Sequence, residues 1–227
     1  MKRSEINRNI LWAMDACQRL GFHLPQFAYW TPKDWDAHSA ETTHMKAVMQ
    51  GWDVTDYDSG AFDAVGAVLF TLRNGSIYNS AMGTPYCEKI IAMKAGQKLP
   101  FHFHYSKTED IINRTGGTLC VRVFNALPKE KGYGVDRTSD VHLRLDGVPA
   151  TIAAGDFVEV HNGDSITLFP YIYHEFWAKP SDGDLIIGEV SSINDDAKDN
   201  HFVEPLCLSP IEEDEAPLYP LCSGYVQ

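Results

Sequence analysis

Between Gly96 and Gly116 the chain reads GQKLPFHFHYSKTEDIINRTG, with His102 and His104 one residue apart and Glu109 after four intervening residues. On an extended strand, side chains two positions apart share a face, so both imidazoles look into one cavity while Phe101 and Phe103 look the other way. Residues 105–108 suffice for a turn into a returning antiparallel strand, which would bring Glu109 level with the two histidines. Two imidazole nitrogens and a carboxylate oxygen suit a first-row divalent ion: Mn2+, Fe2+, Co2+, Ni2+ or Zn2+. A lone histidine is more often a satisfied core or surface residue, which sets aside His23, His38, His44, His142, His161 and His201. Two histidines, a glutamate and a glycine at each end, all in register, have no such structural explanation.

The rest of the chain reads as the scaffold such a site needs. An apolar stretch at 64–72 is followed by the hairpin signal Asn74-Gly75. Further short strands are expected at 76–79, 86–94, 101–105, 110–113, 118–125, 141–145, 148–152, 157–160, 165–169, 174–179 and 185–191, with tight turns at Asp146-Gly147 and Asn162-Gly163. Many short strands with glycine turns and no intervening helices predict an all-β antiparallel barrel or sandwich. Ahead of them, Ser4 can cap a helix with Ile6, Ile10, Leu11, Met14, Cys17 and Leu20 at helical spacing, ended by Gly21. Thr31-Pro32 opens a second, short helix through Trp35. Residues 51–59, rich in acidic and turn-forming residues, read as a loop, and 128–140 as a polar surface loop. The expected organisation is one domain: a helical extension over 1–60, the barrel over 61–193 and an extended tail over 194–227.

Composition excludes several classes of function. At 227 residues, 44% hydrophobic and 22% charged, the chain is an ordinary globular one. Its net charge of -12 disfavours nucleic acid and anionic membrane as partners and suits a small neutral substrate. No stretch approaches the roughly 20 apolar residues of a membrane span, and residues 4–9 interrupt any targeting segment. Cys17, Cys87, Cys120, Cys207 and Cys222 are odd in number and contain no CxxC pair, as expected of reduced thiols in a cytoplasmic protein.

The interval glycine, five residues, His-x-His, four residues, Glu, six residues, glycine resembles the first cupin motif at every fixed position. GDSITLFPYIYH, from Gly163 to His174, is similar to the second motif in its glycine-to-histidine interval. It departs inside, with Pro170 one residue late, Ile172 for a glycine and Ala178 for the closing asparagine. This resemblance implies a cupin barrel with His174 as fourth metal ligand. GWDVTDYDSG, CEKIIAMKAGQ, HFHYSKTEDIINRTGG and PIEEDEAPLY together resemble the D-lyxose isomerase family over nearly the full length, and point to an enterobacterial member. That resemblance implies a manganese-dependent cytoplasmic homodimer that interconverts D-lyxose and D-xylulose, with D-mannose and D-fructose as secondary substrates.

Three histidines and a glutamate leave about two positions on a six-coordinate ion, where a hydroxyl beside a carbonyl can chelate. The expected chemistry is proton transfer between adjacent sugar carbons through a metal-bound cis-enediolate, with a hydride shift the alternative route the sequence leaves open. Candidate proton-transfer groups are Lys107 in the turn between ligands, inward-facing Lys89, Glu109 itself, and Glu204, with Glu212, Glu213 and Glu215 also within reach from the tail. Lys107 reads equally well as an exposed turn lysine. A cupin dioxygenase, a phosphosugar isomerase and a non-catalytic sugar-binding cupin are the alternatives; an apolar lining would favour the first, a cationic phosphate cradle the second.

Overall fold

Alternating burial along the central strands decides the architecture. The computed structural model describes residues 1–195, 198–204, 206 and 210–225. Three α-helices come first: α1 (Arg3–Arg19), α2 (Pro32–Ala37) and α3 (Ser39–Ala47). The strands are β1 (Gly51–Thr55), β2 (Ala67–Gly75), β3 (Gly83–Met93), β4 (Lys98–His104), β5 (Glu109–Gly116), β6 (Leu119–Ala126) and β7 (Val135–Asp136). They continue with β8 (Val141–Leu145), β9 (Val148–Ile152), β10 (Phe157–Val160), β11 (Ser165–Leu168), β12 (Ile172–Ala178), β13 (Leu185–Ser191) and β14 (Asn200–Phe202).

Two antiparallel sheets result, one ordered β1-β2-β3-β13-β5-β11-β8-β9 and the other β10-β6-β12-β4-β14, with β7 added to β6. Their inner faces share one buried cluster: Ile91, Met93, Ile111, Leu185 and Ile187 from the larger sheet, and Val121, Val123 and Phe176 from the smaller. This is the expected all-β antiparallel barrel. The alternate residues of the larger sheet, Val68, Phe70, Ile90, Ala92 and Ile186, are buried on its outer face against Ile6, Ile10, Ala13, Met14 and Cys17 of α1. The helical stripe read from the sequence is therefore the lid of a second core, except that Leu11 faces out and is 45% exposed. On the outer face of the smaller sheet, Phe103, Phe124 and Tyr173 form a third, aromatic cluster.

Several expectations are corrected. Residues 51–55, read as loop, form β1 paired with β2 from Gly51↔Thr71 to Thr55↔Ala67. Trp52 and Val54 are buried on one face of that strand, and Trp52 Nε1 donates to Ala28 O at 2.7 Å, so burial outweighs the turn-forming composition. Residues 76–79 form no strand, because Ser76 Oγ accepts from the amides of Tyr78 and Asn79 and bends the chain. Helix α3 was not expected, and β14 lies inside what read as an extended tail, so the sheets reach past both ends of 61–193. Cys17, Cys87, Cys120 and Cys222 are buried and form no disulfide among the described residues, while Cys207 lies outside them.

The acidic tail does not go to the barrel mouth. Arg3 donates to both oxygens of Glu213 at 2.8 and 2.6 Å. Ser4, inside the helix rather than at its cap, donates through N and Oγ to Asp214 at 2.9 and 2.7 Å. Asn7 donates to Glu215 Oε1 at 2.7 Å and Ala216 O at 2.9 Å, and accepts from Leu218 N at 3.0 Å. Glu212 pairs with Lys2 at 3.7 Å. Carboxylates at a helix N-terminus meet unsatisfied amides and the positive end of the macrodipole, which explains their placement there. Asn7 is only 2% exposed, so Asn7→Ala strands its partners. We expect a loss of about 2 kcal/mol in urea unfolding and faster proteolysis of the tail, with the metal site intact.

Candidate active site and metal centre

Histidine spacing on β4 works together with a bulge. His174 pairs with His102 but Phe176 pairs with Leu99, so β4 carries one extra residue around Pro100. Proline, which lacks an amide donor, is tolerated at such a bulge. The bulge lets Leu99 and His102 both face the interior, while Phe101 and Phe103 turn outward to the aromatic cluster. The turn at 105–108 is not a hairpin, as expected, but a crossing: β4 belongs to the smaller sheet and β5 to the larger. Glu109 thus reaches the histidines from the opposite wall, and His174 joins them from β12. Gly96 and Gly116, which bracket the motif, have φ of +79° and +100°, and a Cβ on Gly116 would lie 2.3 Å from Asp184 O.

Side-chain geometry fits a divalent cation. His102 Nδ1 lies 2.8 Å from Pro100 O and His174 Nδ1 lies 2.9 Å from Ile172 O. A carbonyl oxygen only accepts, so each Nδ1 carries a proton, which in the neutral ring turns the lone pair of Nε2 into the cluster. Those two Nε2 atoms are 3.2 Å apart. Neither ring nitrogen of His104 has a hydrogen-bond partner among the described residues. His104 Nε2 stands 3.4 Å from Glu109 Oε2, and Glu109 Oε1 stands 3.2 Å from His174 Nε2. Ligand atoms of the three histidines all lie within 4.8 Å of one another. Lone pairs packed this closely without protons between them repel, and a cation among them converts the repulsion into ligation. Burial, then the neighbouring His174 and His104 rings, push His102 well below the usual imidazole range, which keeps it in the neutral, ligating form. Burial pushes the Glu109 carboxyl up, but the Lys107 ammonium and the His104 ring outweigh it and hold the group well below its ordinary range.

Lys107 is 4% exposed, which removes the exposed-turn reading. Its Nζ lies 2.9 Å from Glu109 Oε2 and 2.9 Å from Glu189 Oε1, and donates at 3.4 Å to Asn194 Oδ1. Glu189 and Asn194 were not found in the sequence. Glu189 carried a signal, being the charged residue at inward parity with Leu185 and Ile187 on β13. Lys89 is buried and sits opposite Glu189 in the β3–β13 register, on the same face as Ile91 and Met93, as its parity implied. Glu204 is exposed beyond the end of β14, outside this buried cluster. The arrangement combines three clustered imidazoles that could hold a metal ion with two buried carboxylates bridged by an ammonium.

Known proteins resemble this chain at two depths. The family model described as D-lyxose isomerase matches residues 1–225. A D-lyxose/D-mannose isomerase of Serratia proteamaculans is 40% identical over 229 residues, covering 100% of this chain and 99% of its own. One from Escherichia coli O157:H7 is 41% identical over the same coverage. Among solved structures, L-ribose isomerase of Cellulomonas parahominis superposes with a TM-score of 0.56 at 15% identity, over 93% of this chain and 98% of that one. That likeness is one of fold.

Replacing His102 or His174 by alanine leaves an incomplete cage, and we expect both variants to lose bound metal when measured by elemental analysis after gel filtration. Lys107→Ala and Glu189→Gln should retain it. Stoichiometric metal in both histidine variants would remove the ligand assignment.

Proposed function

The chain belongs to the D-lyxose isomerase family, and from that premise we propose that it interconverts D-lyxose and D-xylulose, and D-mannose and D-fructose, with a divalent cation on His102, His104, Glu109 and His174. It is a sugar isomerase enzyme; the substrates, the ion and the residue roles are our reading. The observation that carries it is Lys107, buried between Glu109 and Glu189 beside the histidine cage.

When bound, the cation supplies Lewis acidity that polarises the sugar carbonyl. Glu189 stands outside the cage and is the carboxylate free to act as base. It takes the proton from C2; the C2–H electron pair forms the C1=C2 bond while the carbonyl pair moves to O1. The same carboxyl returns that proton to C1. Lys107 moves a proton from O2 to O1, so aldose becomes ketose with no atom or electron gained or lost. Lys89, opposite Glu189 in register, balances charge on that wall. Two lysines against two glutamates leave little net charge for a phosphate to meet, which favours a neutral polyol over a phosphosugar. A lining this rich in charged groups also counts against a dioxygenase.

Manganese is the ion the family resemblance implies, and a homodimer in the cytoplasm its expected state. No helix among the described residues is long and apolar enough to cross a membrane.

The deciding assay uses metal-stripped protein with manganese restored and D-lyxose supplied, following ketose formation and oxygen uptake together. Metal-dependent ketose without oxygen consumption is the expected result; oxygen consumption, or no ketose with either sugar pair, would overturn the reading. Glu189→Gln should lower kcat by about 100- to 10,000-fold with metal retained, because the base is lost and the cage is not. Lys107→Ala should likewise lower turnover while the metal stays, and full activity in that variant would remove the lysine from the mechanism.

A further inference from the structure

The turn that carries Lys107 is held from outside its own strands. Between β4 and β5, Asp199 Oδ1 accepts from Ser106 N and Ser106 Oγ, both at 2.8 Å. Asp199 Oδ2 accepts from Lys107 N at 2.9 Å, and the backbone carbonyl of Asp199 accepts from Tyr105 N at 3.1 Å. One residue thus takes four donors from three consecutive turn residues. Three of these bonds go to a carboxylate, where hydrogen bonds are shorter and stronger than neutral ones. Asp199 is itself fixed by its neighbour, because Asn200 opens β14 and pairs with His104 at the end of β4.

A lysine stem has several rotatable bonds, and its ammonium is placed only as well as its backbone is. The two ends of Lys107 are both held by chain that follows β12: the ammonium by Glu189 and Asn194, the amide by Asp199. We infer that Asp199 is a positioning residue: by locking the turn at 105–107 it fixes the Lys107 ammonium between Glu109 and Glu189, and it touches neither metal nor sugar. The inference deepens, and rests on, the isomerase reading above. A turn freed by about an ångström costs chemistry more than binding, since sugar affinity has other contacts while proton transfer depends on donor position.

The test uses the manganese-loaded enzyme with Asp199→Ala and Asp199→Asn. In Asp199→Ala the Ser106 and Lys107 amides should lose hydrogen-exchange protection, a readout independent of turnover. Bound metal and KM should stay at wild-type values while kcat falls on the order of 100-fold. Asp199→Asn, which keeps one acceptor oxygen, should fall between the two. The double variant Asp199→Ala/Lys107→Ala should be no slower than Lys107→Ala alone, because a residue that acts through Lys107 has nothing left to position. Metal lost in step with activity, a rise confined to KM, an unchanged kcat, or multiplicative losses in the double variant would each overturn the assignment. If Asp199→Ala does not fold, Asp199→Asn is judged by the same readouts. If the wild-type enzyme makes no ketose, the isomerase reading falls first, and unchanged amide protection in the variants overturns the positioning role separately.

Discussion

Lone pairs of three buried imidazoles and a carboxylate, with neighbouring atoms 3.2 to 3.4 Å apart, are the constraint on which the rest of this structure depends. Such a cluster is unfavourable unless a cation fills it, so only a stiff frame holds it ready. The frame is assembled from both sheets: β4 and β12 supply the histidines, and β5 supplies Glu109 from the facing wall. The crossing at 105–108 joins those walls by covalent chain. Carbonyls of Pro100 and Ile172 then select the tautomers that aim Nε2 inward. Ligand direction is thereby decided by backbone geometry more than by side-chain choice.

Beside the cage lies a second electrostatic requirement. Glu109 and Glu189 are both buried, and two desolvated carboxylates so near each other need a cation of their own. Lys107 meets both at once, at the cost of lost lysine rotamers. Glu189 lies 82 residues further along the chain, so the pair forms only when β13 is in place beside β5. Asp199, which anchors the turn, comes later still. The Lys107 cluster is therefore completed by chain that follows β12.

The opposite, outer surface explains the helices and the acidic tail. From Ile90 to Met93, strand β3 is buried on both faces, against the barrel interior on one side and α1 on the other. Helix α1 completes the outer core, and Glu213, Asp214 and Glu215 bind its first turns in place. Carboxylates that read from the sequence as candidates for proton transfer instead hold two remote segments together. Their negative charge is placed where a helix N-terminus welcomes it.

The sequence by itself determined what local chemistry and periodicity can determine. The pairing of His102 with His104 and the inward face of Lys89 follow from a period of two. The strands at 141–145, 148–152, 157–160 and 185–191 were legible with the bounds they have in the fold, because alternation and turn residues act over a few positions. Its resemblance to a known motif located His174. Tertiary structure alone decided the rest. A turn composition hid β1, whose Trp52 is buried against Phe70 and donates to Ala28 O, neither of them near in sequence. Nothing local marks Asp199 as the anchor of a turn 93 residues away. Glu189 shows locally only as a charged residue at inward parity in an apolar run, and its partner Lys107 lies 82 residues away. Pairing of charges across long separations is a property of where strands end up, and chain order does not encode it in any window short enough to read.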